Sequence, residues 1–326
     1  MQQAHRGYMK KIFISVVVTA YNRKEFLLEA LKSAVNQTLQ RDKYEIICIK
    51  NFKDTKIDNY IENNNIISII EKEKTVGEYL YLSAKKAKGN ILVFLDDDDL
   101  FSKDKLERVA LYFSRYPIGF YHNLQLKGVP PKIGFLGFKE NNFKVIKYPY
   151  KHNFKYIGPA IANMSSIAIK KNILLSYSRE LKNIITNQDS FMFLISLMSK
   201  KDILIDNNKM TFYRIHDKNT SDGGGTEIEK YFKFYRELSL PALFYQLKLA
   251  DKENAKVAKL ALKSLVFVTL SDFCIRSNNK KDLIKAFKYI SFNALDKTII
   301  GRIGLSILFL LGSKYPYKRL TRNFKQ

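Results

Sequence analysis

Four consecutive carboxylates, Asp96 to Asp99, stand directly after the apolar run Ile91 to Leu95. Adjacent carboxylates repel one another unless a cation offsets their charge. Hard divalent ions such as Mg²⁺ or Mn²⁺ are suited to that task, because they bind through one or two carboxylates plus substrate phosphates. An acidic turn capping a helix that begins near Lys103 would use the same residues without a metal, since carboxylates are favoured at helix N-termini. The strand-like ending Phe94-Leu95 favours the metal reading. Two further groups are chemically suggestive. Asp189 lies at the start of a helical run, in Thr186-Asn187-Gln188-Asp189-Ser190-Phe191, where a carboxylate also has a purely structural use. His216 sits alone on a β-like run, a setting in which most histidines are satisfied core residues; a polar, glycine-rich stretch follows it.

The elements that must position these groups alternate. Ile12 to Thr19 is an apolar, β-branched run of the kind buried on both faces of a sheet. Asn22 offers a cap for a helix carrying Phe26, Leu27, Ala30, Leu31, Ala34 and Val35 at helical spacing. Strands are expected over Tyr44 to Ile49, Ile66 to Ile70 and Ile91 to Leu95, and a helix over Val76 to Lys88, ended by Gly89. Such alternation predicts an α/β fold with a mainly parallel, helix-covered sheet, whose ligands bind outside the carboxyl ends of the strands. Ala20-Tyr21-Asn22-Arg23 and the aspartate cluster both fall at those ends. From Pro117 to about Asp222 the pattern is irregular, with short β-like runs and one helix over roughly Gln188 to Ser199. Ser221-Asp222-Gly223-Gly224-Gly225 reads as a joint, and Glu227 to Gln326 as helical throughout. The expected division is residues 10–225 for catalysis and 226–326 for a basic helical region.

Several separated motifs together resemble a family 2 glycosyltransferase of the GT-A fold. Ser15-Val16-Val17-Val18-Thr19-Ala20-Tyr21-Asn22-Arg23, with Leu27, Ser33 and Gln37-Thr38, resembles the opening nucleotide-binding segment. Phe94-Leu95-Asp96-Asp97-Asp98-Asp99 with Lys105-Leu106-Glu107 resembles the DxD signature and its trailing helix. Tyr213-Arg214-Ile215-His216 with Asn219 and Ser221 resembles the closing motif. The resemblance implies transfer of a sugar from a nucleoside-diphosphate donor, by metal-assisted and inverting displacement. Thr19, Ala20, Tyr21, Arg23, Asp96 and Asp97 would contact the nucleotide, with Tyr21 at the base and Asp96 at the ribose. Asp98 and His216 would serve a Mn²⁺ or Mg²⁺ ion, and Asp189 would be the base that deprotonates the acceptor. Sugar transfer through an oxocarbenium-like centre is consistent with those roles.

This chain departs from the family pattern at two places. The second strand ends Ile49-Lys50-Asn51 where an acidic pair is usual. Asn51 can still meet a base edge as donor or acceptor, whereas Lys50 cannot accept, so uracil, guanine and thymine donors all stay open. The usual Ala-Arg-Asn stretch before the DxD strand is missing; Thr75-Val76-Gly77-Glu78 stands near it, making Glu78 a candidate nucleotide contact or a surface ion-pair partner.

The chain of 326 residues carries 56 Lys+Arg against 31 Asp+Glu, a net +25, which fits an anionic partner or simply a lysine-rich surface. Residues 251–326 hold 16 Lys+Arg and 5 Asp+Glu. An apolar run, Ile299 to Leu311, is interrupted by Arg302, is too short to span a bilayer, and precedes Lys314, Lys318, Arg319, Arg322 and Lys325. That pattern predicts contact with an anionic membrane surface, or a packed helical bundle with a solvated basic end. A glycan or lipid-linked acceptor would suit the former. Two cysteines, Cys48 and Cys274, make no disulfide framework, and Met1 to Lys11 shows no signal-peptide pattern, so a cytoplasmic protein, peripheral on the inner face of the cell membrane, is expected. Nucleic-acid binding is disfavoured, because basic residues are dispersed and no recognition motif appears. A nucleotidyltransferase would need a glycine-rich phosphate loop after the first strand, which Ala20-Tyr21-Asn22-Arg23 is not. A non-catalytic homologue is the remaining alternative, given Lys50, Asn51 and Gln188.

Overall fold

β1 (Ile14–Ala20) is buried along its whole length except at Thr19, as its β-branched sequence requires. The computed structural model describes residues 12–72, 74–128, 142–150, 163–216, 228–290 and 297–321. The segment 1–11, the joint at 221–225 and the motif residues Asn219 and Ser221 lie outside the described residues. β1 runs parallel to β2 (Tyr44–Lys50) and β4 (Ile91–Asp96), and β3 (Ile67–Ile70) extends the parallel set beside β2.

The other half of the sheet is mixed. β8 (Ile167–Lys170) is antiparallel to β4 and to β6 (Ile118–Gly128). β6 lies parallel to β9 (Asp202–Arg214), which β5 (Leu100–Phe101) and β7 (Phe143–Ile146) meet antiparallel. Among the described residues the order is β3-β2-β1-β4-β8-β6-β9-β5, with β7 also on β9. Parallel pairing therefore joins β1 to β4 and, in the other half, β6 to β9, while the remaining pairings there are antiparallel. The long strands β6 and β9 carry His122, Asn123, Gln125 and Asp206, Asn207, Asn208, which break any local β pattern; their pairing across a bulged register supplies what propensity lacks.

Helices cross between the strands. α1 (Leu27–Val35) and α3 (Val76–Lys86) follow the expected spans; α2 (Thr55–Asn63), N-capped by Asp54, was not foreseen. α4 (Lys105–Arg115) follows the acidic turn, while α5 (Lys171–Ser176) and α6 (Ser178–Lys182) follow β8. Two boundaries correct the sequence reading. Asn22 does not cap α1, whose N-cap is Phe26; Asn22 adopts a left-handed backbone, φ 55°. Gly89 does not end α3, which stops at Lys86; a Cβ at Gly89 would lie 2.5 Å from the Ser15 nitrogen, so close passage against β1 is what demands glycine there.

The chain divides into two compact units. The first holds the sheet with described residues of 12–148, 163–183 and 199–214; the second holds 149–150, 184–198, 215–216, 228–290 and 297–321. In the second unit, α7 (Gln188–Met198) is packed by α9 (Leu240–Lys252) and α10 (Lys256–Arg276), so a helix lying before residue 225 in sequence groups with the C-terminal helices. Its residues Ser190 to Leu197 are all buried, which requires apolar cover that α9 and α10 provide. α8 (Ile228–Phe234), α11 (Lys280–Ala286), α12 (Lys297–Leu310) and α13 (Tyr315–Thr321) complete the unit, whose core includes Phe267, Cys274, Ile275, Leu283 and Phe309. Among the described residues no strand follows Arg214, and no helix is long and apolar enough to cross a membrane.

Candidate active site at the strand ends

Parallel register brings three chain segments out at one edge: Thr19 aligns with both Ile49 and Asp96, and Ala20 with Lys50. There the Asn22 backbone N–H donates to Asn51 Oδ1 at 2.8 Å, and Asn51 Nδ2 donates to Asn22 Oδ1 at 2.7 Å. This reciprocal pair uses the left-handed turn at Asn22 to tie the β1 and β2 ends together. Tyr21 is half exposed, its ring 6.0 Å from that of Tyr79, whose hydroxyl donates to the Glu71 carbonyl at 2.7 Å. Lys50 is fully buried and turned to structure: its ammonium pairs with Asp58 at 2.7 Å and donates to the Phe52 carbonyl at 2.7 Å. Glu78 belongs to a capping box, accepting from the Thr75 N–H at 2.9 Å while Thr75 Oγ1 accepts from its own N–H. That role helps satisfy the N–H groups at the start of α3, and the other carboxylate oxygen lies 3.8 Å from the Lys74 ammonium, the ion pair that the sequence also allowed.

The aspartates form a tight turn. Asp96 ends β4, its N–H donating to Ser165 Oγ at 3.0 Å, and the Asp99 N–H returns to the Asp96 carbonyl at 3.2 Å. Arg23 straddles the middle pair: Nη1 lies 2.8 Å from Asp98 Oδ2, Nε donates to Asp97 Oδ2 at 3.3 Å, and Nη2 meets Asp97 Oδ1. Burial and the neighbouring carboxylates raise Asp96 well above the usual carboxylate range. Burial likewise pushes Asp97 up to about 7 against the opposing pull of Arg23, and Asp99 up to about 7 with help from Asp98. Burial works against the Arg23 charge, but the Asp97 hydrogen bond and the surrounding carboxylates outweigh it and hold the guanidinium more basic than usual.

Behind the turn stand groups that the sequence reading assigned no role. Arg214, at the end of β9, donates from Nε to the Asp98 carbonyl at 2.9 Å and from Nη2 to Glu29 Oε2 at 2.6 Å, with its guanidinium 4.3 Å from the Phe26 ring centre. Its backbone N–H donates to Asp99 Oδ1 at 3.2 Å. Asn163, in the left-handed region at φ 74°, donates to Asp99 Oδ2 at 3.2 Å and Gln125 Oε1 at 2.6 Å. Lys105 lies wholly buried beneath, donating to Thr211 Oγ1 at 2.8 Å and to the Ser165 carbonyl, and burial pulls its pKa well below the usual lysine range. The only available signal for Arg214 was its place in the closing motif.

Among the described residues no three ligating side chains gather to hold a metal by themselves. The donor chemistry nonetheless suits a hard cation, which needs one or two carboxylates when phosphates complete its shell. Asp98 belongs to the first unit, whereas His216 and Asp189 belong to the second. Asp189 Oδ1 accepts from the Ser190 N–H at 2.8 Å in the first turn of α7.

Residues 15–156 match the family model described as Glycosyl transferase family 2. The poly(ribitol-phosphate) β-glucosyltransferase of Bacillus spizizenii is 23 % identical over 318 residues, covering 91 % of this chain but 48 % of that protein, so the chain spans about half its relative's length. Among solved structures, S. aureus TarS 1–349 in complex with UDP-GlcNAc is similar with a TM-score of 0.54, at 14 % identity over 93 % of both chains. The mannosyltransferase PcManGT from Pyrobaculum calidifontis, in complex with GDP-Man and Mn²⁺, is similar with a TM-score of 0.55, at 13 % identity over 98 % of this chain and 87 % of that one. The acidic turn at the end of β4, joined by register to the Tyr21–Arg23 segment, lies within the residues that match glycosyltransferase family 2, and the mixed sheet that carries it has the GT-A fold of these solved structures.

Proposed function

We propose that this protein transfers a sugar from a UDP-, GDP- or dTDP-sugar to an acceptor hydroxyl. The observation that carries the reading is the buried aspartate turn, shared with Arg23, at the carboxyl end of β4 in a GT-A fold. Solved structures of similar fold hold UDP-GlcNAc in one case and GDP-Man with Mn²⁺ in another, which supports a nucleotide-sugar donor.

In this reading the Tyr21 ring stacks on the base, Asn51 offers an amide to its edge, and Thr19 and Ala20 line the entry to the pocket. Asp96 accepts from the ribose, Asp97 keeps Arg23 oriented, and the guanidinium faces the phosphates. Asp98 and His216 would hold a divalent cation, which when bound neutralises the charge of the departing diphosphate. Asp189 takes the acceptor proton, and one base opposite the leaving group suits a single inverting displacement. The acceptor is a glycan or a lipid-linked molecule. A polyanionic polymer such as the one in the Bacillus relative's name would complement a net charge of +25.

Peripheral attachment to an anionic membrane belongs to the same proposal. Ile300, Ile307, Leu308 and Leu311 recur at helical spacing and are exposed, Ile300 by 57 % and Leu311 by 78 %, with Lys314, Lys318 and Arg319 exposed just beyond. Arg302, the charge that interrupts this apolar run, donates to Asp272 at 2.9 Å instead of entering the exposed stripe.

The test is nucleotide release and thermal stabilisation across UDP-, GDP- and dTDP-sugars with and without Mn²⁺. One donor should be turned over, and both signals should vanish in Asp98→Ala. Retained turnover in that variant would refute the metal-side role.

A further inference from the structure

The helix that carries Asp189 in its first turn is moored by the C-terminal region through buried polar groups that the mechanism above does not use. Gln246, on α9, is fully buried. Its Nε2 donates to the Asn187 carbonyl at 3.0 Å, and its Oε1 lies 2.8 Å from Ser190 Oγ. Ser190 Oγ is also 2.8 Å from the Asn187 carbonyl, so its single proton serves one of two acceptors at a time, and the residue is held from both sides. Asn187 is itself fastened: it adopts φ 54°, and its Nδ2 donates to the Ser239 carbonyl at 2.9 Å and reaches Ser239 Oγ at 3.1 Å.

These contacts bracket Asp189. Its carboxylate accepts from the N–H of Ser190, and its backbone is strung between Asn187 and Ser190, the two residues that Gln246 grips. A left-handed residue before a helix fixes the direction of entry of the first turn, and Asn tolerates that conformation better than most residues do. A buried amide of this kind costs free energy if its partners are lost, so the arrangement has one low-energy geometry. Apolar packing alone would hold α7 against α9 and α10 but would leave its N-terminal turn free to rotate or fray.

We propose that Gln246 is a positioning residue for the catalytic base: through Asn187 and Ser190 it sets where the Asp189 carboxylate stands, which gives the C-terminal helices a part in the chemical step. The inference rests on Asp189 acting as the base. Misplacing a reacting group by about 1 Å costs up to about a hundredfold in rate without altering ground-state binding.

Gln246→Leu removes both hydrogen bonds at nearly constant volume, and Ser190→Ala removes one of them with less risk to folding. Each is compared with Asp189→Asn in the full chain, reading donor turnover as nucleotide release, UDP affinity with Mn²⁺ by calorimetry, and melting temperature. The expected result is a kcat lowered about tenfold or more in Gln246→Leu, and in the same direction in Ser190→Ala, with donor KM and UDP affinity within about twofold of the parent. A loss of kcat in Asp189→Asn with unchanged kcat in both other variants would overturn the positioning role while leaving the base in place. Full activity of Asp189→Asn would overturn both. A parallel fall in kcat and UDP affinity would reduce Gln246 to a general stabiliser of the fold.

Discussion

Arg214 Nε donates to the backbone carbonyl of Asp98 at 2.9 Å, so the final residue of β9 braces the carboxylate turn from behind. The same guanidinium reaches Glu29 on α1 and covers Phe26, which requires a planar group with donors on two sides. Arg214→Lys cannot reproduce both bonds, and Arg214→Gln removes the charge as well. A hydrogen bond to a charged group contributes about 1.5–3 kcal/mol, so a drop in melting temperature of several degrees is expected, larger for Gln than for Lys. At temperatures where both variants are folded, donor turnover should fall in each. Unchanged turnover per folded molecule would mean that the brace matters to stability alone.

Asp97 and Asp99 are pushed up to about 7 by burial, which sets the sign of a pH effect. An unfolded chain releases these protons near pH 4, whereas the folded chain keeps them to about pH 7. Between those limits the folded state binds more protons, so this contribution to stability falls as pH rises. A divalent cation at the turn competes with the same protons, and its apparent affinity should therefore rise from about pH 6 to about pH 8, with proton release on binding. Calorimetric Mn²⁺ titration in two buffers of different ionisation enthalpy measures both quantities. Affinity that falls over that range would contradict the assignment.

Gly89 is sensitive for a steric reason. Its N–H donates to Ser15 Oγ at 2.8 Å, and that hydroxyl donates to Glu45 at 2.6 Å. A methyl group there meets the Ser15 nitrogen and oxygen within 2.6 Å and the Ile14 carbonyl carbon at 2.8 Å. Gly89→Ala should cost about 1–3 kcal/mol, the usual penalty for overpacking, read as a lower midpoint of urea unfolding at unchanged slope. Gly304, on the open face of α12 with no atom within 4 Å of an added Cβ, should accept alanine without loss and serves as the control.

The exposed apolar stripe of α12 predicts vesicle binding that needs both halves of its chemistry. Co-sedimentation with anionic vesicles should be lost in Leu308→Glu/Leu311→Glu and weakened in Lys314→Ser/Lys318→Ser/Arg319→Ser. Neutral vesicles should bind little, and added salt should weaken the anionic case. Donor turnover in solution should be unaffected. Equal binding to neutral and anionic vesicles would remove the electrostatic component.

The reach of the sequence can be read at particular residues. Ile14–Ala20 and Ile91–Asp96 were legible as strands because they are buried on both faces and written in β-branched and apolar residues that no solvated segment would keep. The aspartate cluster was legible as a candidate site because strand ends in alternating α/β chains are where ligands bind. β6 and β9 were not legible, since their polar residues are explained only by partners distant in sequence. In sequence Lys50 is only a departure from the usual acidic pair and Glu78 a candidate nucleotide contact; the fold sets Asp58 beside the one and Thr75 beside the other. The standing of Arg214, and the grip of Gln246 on the turn before Asp189, depend on hydrogen bonds spanning 116 and 59 residues. Local sequence dictates which segments must be buried and which groups can ionise. Only the folded chain decides which buried group answers which, because a hydrogen bond is set by where two atoms end up and carries no trace of their separation along the chain.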